Sequence, residues 1–134
     1  MCGIVGLYLK DRNLHANLGA LFAPMLIEMT DRGPDSAGFA IYRNPVDQHQ
    51  TKFTLASDEP DTDWWALGTA LENALNCEAR LDIHGDHAVL VTDADPFTTQ
   101  AWLVETRPQI RVVGSGRSIE IFKHVAKFQY PNFV

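Results

Sequence analysis

The 134-residue chain is short of cysteine, of positive charge and of long apolar runs. Each shortage closes off a class of protein. Two cysteines, Cys2 and Cys77, do not make a disulfide framework, so a reducing compartment is expected. Seventeen acidic residues against eleven basic ones leave a net charge of -6. That balance argues against nucleic acid as a main partner, because holding phosphates needs a basic face. No apolar run reaches the ~20 residues of a membrane-spanning helix. The N-terminus lacks a basic region followed by an apolar core and a small-residue cleavage site, so no secretory signal is expected. Internal repeats and low-complexity tracts are absent as well. The expectation is one cytoplasmic domain, with no membrane and no nucleic-acid partner. A hydrophobic share of 46% is enough for a real core.

What the chain does have is concentrated at its start, Met1-Cys2-Gly3-Ile4-Val5-Gly6. A methionine before a small residue is readily removed. Removal would leave Cys2 with a thiol and a free α-amine on one residue, a nucleophile joined to its own general base. The unperturbed α-amine has a pKa of about 7.7–8.0, close enough to neutrality to accept a proton. The bland alternative is a small, inert residue near a terminus. Ile4, Val5, Leu7, Tyr8 and Leu9 would then form a buried first strand over residues 3 to 9. Gly3 and Gly6 leave little bulk beside Cys2 and suit a close approach.

A second segment, Asp31-Arg32-Gly33-Pro34-Asp35-Ser36-Ala37-Gly38, is a loop by its turn chemistry. Together with the Met-Cys-Gly-Ile-Val-Gly start, it resembles the class II glutamine amidotransferases, which are N-terminal-nucleophile (Ntn) hydrolases. Leu7-Tyr8-Leu9-Lys10-Asp11 and Met29-Thr30-Asp31-Arg32 look most like the branch related to glutamate synthase, including the amidotransferase subunit of N-methylglutamate synthase. The resemblance covers residues 1 to 45. It implies an α+β fold, part of the αββα-type sandwich of that hydrolase family. It implies glutamine as substrate, Cys2 as nucleophile and a synthase-type protein partner that receives the ammonia. No cofactor and no metal are implied. Gly3, Arg32, Gly33, Asp35 and Ser36 would form the active-site wall. The plain alternative for Arg32 is an exposed cation at a helix end.

Other parts of the family pattern are missing. Relatives hold the glutamine carboxylate with a later arginine and form the oxyanion hole with an Asn-Gly pair. This sequence contains no Asn-Gly. Arg80 is the one candidate clamp, since Arg80-Leu81-Asp82-Ile83-His84-Gly85 faintly echoes an Arg-x-x-x-His-Gly pattern. The expected organisation is a single, incomplete amidotransferase domain over 1–134 carrying a small α/β insertion at 46–126. The alternative is a scaffold or regulatory subunit that has lost the reaction and binds a partner protein or a small anion.

Along the chain, Asn13 to Asn17 reads as a turn. Residues 18 to 31 read as an amphipathic helix with Leu18, Leu21, Phe22, Met25, Leu26 and Met29 on one face and Pro24 inside it. Its methionines read as core filler. A strand follows over Phe39 to Tyr42 and another over Lys52 to Leu55. A helix carries Trp64, Leu67, Leu71 and Leu75, with Asp61 or Asp63 as its cap. Trp64 belongs to the core and Trp65 to a surface. Ala88 to Thr92 reads as a strand, Pro96 to Glu105 as a helix and Ile110 to Val113 as a strand. Gly114-Ser115-Gly116 reads as a tight turn opening a helix over Ser118 to Ala126. Gly114, Ser115, Gly116, Arg117 and Ser118 could then hold an anion on backbone N–H groups. The alternative is a plain connection. His84-Gly85-Asp86-His87, with Asp82 nearby, could bind a metal or could form a polar turn before a strand.

Overall fold

A computed structural model of the chain describes residues 3–32 and 36–125. Cys2, Gly33 and Asp35 lie outside the described residues. The chain divides into two compact units, one of Met1–Gly38 with Lys123–Val134, the other of Phe39–Phe122.

In the first unit, Asp11 accepts a hydrogen bond from the Asn13 N–H at 2.9 Å and starts a 3₁₀ turn over Arg12–Asn17. The helix α1 follows at Leu18–Glu28 and runs on through Pro24. The proline has no N–H to give the carbonyl four residues back, and α1 tolerates that loss. Leu18, Phe22, Met25, Leu26 and Met29 are half-buried on the expected face, while Leu21 is exposed. Residues 3–10 form no strand, contrary to the sequence expectation. Val5, Leu7 and Leu9 are half-buried and alternate with exposed neighbours, Ile4 at 95% and Tyr8 at 83% exposure. The period of a strand is present. A strand also needs a ladder partner, and among the described residues none pairs with this segment.

In the second unit, the elements run β2 (Thr51–Ser57), α2 (Trp64–Leu75), β3 (Ala79–His84), β4 (His87–Thr92), α3 (Pro96–Thr106) and β5 (Ile110–Gly116). Their sheet has the order β3-β4-β2-β5, and every neighbouring pair is antiparallel. Thus β2 and β3 point the same way with β4 between them, and β4 and β5 do so with β2 between them. These are two interleaved split βαβ units, the ferredoxin-like arrangement. The chain is therefore mixed α+β, and the alternation of helix and strand rides on an antiparallel sheet.

Burial follows the register. Phe53 and Leu81 lie opposite Leu90 from either side, and Leu55 lies opposite Ala88. With Trp64, Leu67 and Leu71 of α2, Leu103 of α3 and Ile110, they form one core. Both helices therefore cover the same sheet face. Asp63 caps α2 by accepting from the Ala66 N–H at 2.9 Å, and Asn76 ends it in the left-handed region at φ 49°. Gly68 lets α2 approach the sheet closely, since a Cβ there would lie 3.0 Å from Leu81 Cδ1. Trp64 is buried and Trp65 is 67% exposed, because adjacent helical positions face different ways.

The opposite sheet face carries Lys52, Thr54, His87, Val89 and Val91, all buried. Residues Glu120–Phe122 cover it. They belong to β6 (Ile119–Val125), which pairs with β1 (Ser36–Tyr42) in a separate two-stranded sheet. The Ile121 N–H donates to Thr54 Oγ1 at 3.0 Å, and the Phe122 ring stacks on Phe39 at 5.2 Å.

Here the expectation of a turn at 114–116 followed by a helix at 118–126 is overturned. Gly114 and Gly116 are strand residues whose missing side chains make room for Ile121 and Ile119. Residues 119–125 are a strand, as β-branched Ile119, Ile121 and Val125 around Phe122 favour. The strand β3 was not expected at all. Its alternation of Ala79, Leu81 and Ile83 with Arg80, Asp82 and His84 is legible but short.

Candidate functional site

The two motifs at the start of the chain are connected through Met29. That residue closes α1, with its N–H on the Leu26 carbonyl at 3.1 Å. Its own carbonyl accepts the Arg32 N–H at 3.0 Å, which folds Thr30–Arg32 into a single 3₁₀ turn. Arg32 is thereby held at the head of the Arg-Gly-Pro-Asp-Ser segment. Its side chain is exposed.

Gly3 lies against this turn. A Cβ added to Gly3 would meet the terminal methyl of Met29 within contact distance, Arg32 Cβ at 3.1 Å and Arg32 Cδ at 3.3 Å. Only a glycine allows the chain to run so near the arginine. The residue after Cys2 and the first residue of the second motif are thus in contact. Ser36 is the exposed first residue of β1.

The other expected residues lie in the second unit. Arg80 is exposed on β3, paired in register with Val91. Gly114, Ser115, Gly116, Arg117 and Ser118 make the end of β5 and the connection to β6. The helix start on which an anion site was argued is absent there. Arg117 donates instead to the Val46 carbonyl at 3.0 Å, and its own carbonyl accepts the Val46 N–H at 3.0 Å. These bonds tie the connection to the segment after β1.

Asp82 and His84 are paired at 3.1 Å, and Asp86 and His87 at 2.7 Å, on either side of Gly85 at φ +64°. The arrangement is the polar β3–β4 turn. The His87 ring is buried and lies 5.6 Å from that of Phe122, with the His84 ring at 5.5 Å. Cys77 is half-buried at the edge of the core, its Sγ 3.8 Å from the Leu71 carbonyl.

Sequence reasoning passed over Met29 as filler and did not single out Lys52, Arg43 and Glu120. Lys52 is buried in β2 and bonds Glu120 Oε1 and the Arg43 carbonyl, each at 2.8 Å. Its signal was a lysine in a strand that carries no other charge. Among the described residues no helix is long and apolar enough to cross a membrane.

A mixed α+β chain in which Gly3 lies against Met29 and Arg32 has named relatives. The chain is 44% identical over 126 residues to the glutamine amidotransferase-like protein GlxB of Rhizobium meliloti (strain 1021), covering 93% of this chain and 41% of that protein. It is 57% identical over 42 residues to a protein of Methanothermobacter thermautotrophicus provisionally named a glutamine amidotransferase. That match covers 31% of this chain and 13% of the other. The matches support a glutamine amidotransferase-like family for this chain, which spans about two-fifths of the length of the first relative. No protein-family model and no solved structure matches.

Proposed function

We propose that this chain carries the nucleophile-bearing part of a class II glutamine amidotransferase of the N-terminal-nucleophile type. The observation that carries the reading is the contact of Gly3 with Arg32, which joins the segment bearing Cys2 to the Arg-Gly-Pro-Asp-Ser motif. The similarity to proteins named for glutamine amidotransferase supports the substrate, and thereby the reaction.

Once Met1 is removed, the Cys2 sulfur attacks the carboxamide carbon of glutamine while the α-amine takes the thiol proton. The tetrahedral intermediate collapses with cleavage of the C–N bond. The protonated amine returns its proton to the departing ammonia, leaving a glutamyl thioester. Water then attacks the thioester, again giving a proton to the amine. The C–S bond breaks, the sulfur recovers a proton and glutamate leaves. Gly3, Arg32, Gly33, Asp35 and Ser36 line this site, and the ammonia passes to a synthase-type partner protein. Residues 46–126 are an insertion in the amidotransferase domain. That reading is supported by the separate compact unit Phe39–Phe122, which has its own core and a full βαββαβ order.

The test is glutamate release from glutamine by the full-length, Met1-processed protein, beside Cys2→Ala. Loss of release in Cys2→Ala, with Cys2 at the mature N-terminus by mass spectrometry, is the expected result. Equal release from both proteins removes Cys2 from the mechanism.

A further inference from the structure

We propose that Met29 is a positioning residue for the N-terminal nucleophile, holding Gly3 and Arg32 in register through its side chain and its backbone at once. The inference rests on the reading of Cys2 as that nucleophile. A methionine at a helix end is ordinarily a gap-filler. Met29 does more, because of what its two ends touch. Its carbonyl accepts the Arg32 N–H at 3.0 Å and so shapes the turn that presents the arginine. Its terminal methyl occupies the space that a side chain at position 3 would need. The N-terminal segment therefore rests on the methionine, one peptide bond from Cys2, while the arginine hangs from the same residue. Among the described residues, 3–10 have no strand partner and Ile4 is 95% exposed, so the seat on Met29 carries weight at this end of the segment.

The geometry makes the coupling testable by compensation. Gly3→Ala puts a Cβ where the Met29 methyl sits. That methyl is the main obstacle, and Arg32 Cβ at 3.1 Å, close to its own backbone, narrows the room into which either group could move. Residue 3 must then lift from its seat. A misplacement of ~1 Å in a reacting group costs about a hundredfold in rate, so a loss of tenfold or more in kcat is expected for Gly3→Ala. Met29→Ala removes the seat and loosens the segment, with a smaller loss. In the double variant, the space vacated by Met29 receives the new Cβ. Its loss is therefore smaller than the product of the two single losses.

The experiment uses the full-length, Met1-processed protein as wild type, Gly3→Ala, Met29→Ala, the double variant and Cys2→Ala. It reads kcat and KM for glutamate release, and the pH profile of Cys2 alkylation by iodoacetamide. The expected result is a fall mainly in kcat, with an alkylation profile displaced in each single variant and restored towards wild type in the double. Losses that multiply, or an alkylation profile unmoved by either single change, overturn the inference. A fully active Cys2→Ala overturns the nucleophile reading instead. A dead Cys2→Ala beside multiplying losses overturns only the role of Met29.

Discussion

Lys52 and Glu120 form an ion pair shut away from water, with Nζ 2.8 Å from Oε1 and both side chains about 5% exposed or less. Lys52 stands on β2 and Glu120 on β6, so the bond fastens the covering strand to the sheet. Arg43 completes the network, its Nε and Nη2 each 3.0 Å from Glu120 Oε2. Taking two charges out of water is costly, and removing one partner leaves the other stranded.

Lys52→Met should therefore lower the unfolding free energy by about 3 kcal/mol, the low end of the usual range, because Arg43 stays beside the carboxylate. Glu120→Leu should cost more, since it leaves a buried ammonium whose remaining acceptor in this network is the Arg43 carbonyl. The double variant should recover most of the loss, as an apolar pair of similar volume needs no compensation. Urea denaturation of the four proteins checks this. Costs that simply add would show that the two groups do not depend on one another.

The elements legible in the sequence are those whose caps and periods agree. Asp63, one of the two expected caps, starts α2, α3 begins at Pro96 as expected, and the buried positions of α2 recur at helical spacing. The strand at 119–125 was not legible because Gly114-Ser115-Gly116 resembles a turn. Its glycines serve a contact with Ile119 and Ile121 that exists only after the chain has folded back. Ile4 to Leu9 has the period of a strand, but pairing is a tertiary fact that a period does not supply. At the candidate site, Arg32 was legible as part of a motif, while the expected turn chemistry of Gly33-Pro34-Asp35 lies outside the described residues. The part played by Met29 was not, since one methionine in an apolar helix looks like any other.

Gly114 gives the second prediction. A Cβ there would lie 2.6 Å from Ile121 Cδ1 and 3.3 Å from Cγ1. Gly114→Ala overfills the contact between β5 and β6 and should destabilise by about 1–3 kcal/mol. Ile121→Val deletes the nearer atom. Alone it should cost about 0.5–1.5 kcal/mol for the lost methyl, yet beside Gly114→Ala it should restore stability. None of these substitutions removes the Ile121 N–H that donates to Thr54. Thermal unfolding of the four proteins reads the sign. A further loss on adding Ile121→Val would show that the two side chains do not compete for one space.

Asp95 gives a prediction in pH. Its carboxylate accepts the Thr98 N–H at 2.8 Å and the Thr98 hydroxyl at 2.9 Å at the first turn of α3. The backbone bond from Thr98, and then the hydroxyl bond, hold its pKa below the ordinary 3.8. A carboxyl whose pKa is lower in the folded than in the unfolded chain stabilises the fold above the unfolded value. That contribution is lost as the pH falls through the folded value. Asp95→Asn keeps an acceptor for the Thr98 N–H but carries no charge to titrate. Wild type should therefore be the more stable of the two at neutral pH. The gap should stay flat down to about pH 4 and close below it, with no change between about pH 5 and 8. Melting temperatures of both proteins along a pH series measure the gap directly. Because Asp95 is exposed, added salt should narrow the gap at neutral pH as well, since screening weakens the attraction between the carboxylate and the helix N-terminus. A gap of constant size from neutral to acid pH would mean that the side chain acts through its shape and hydrogen bonds alone, with no part played by its charge.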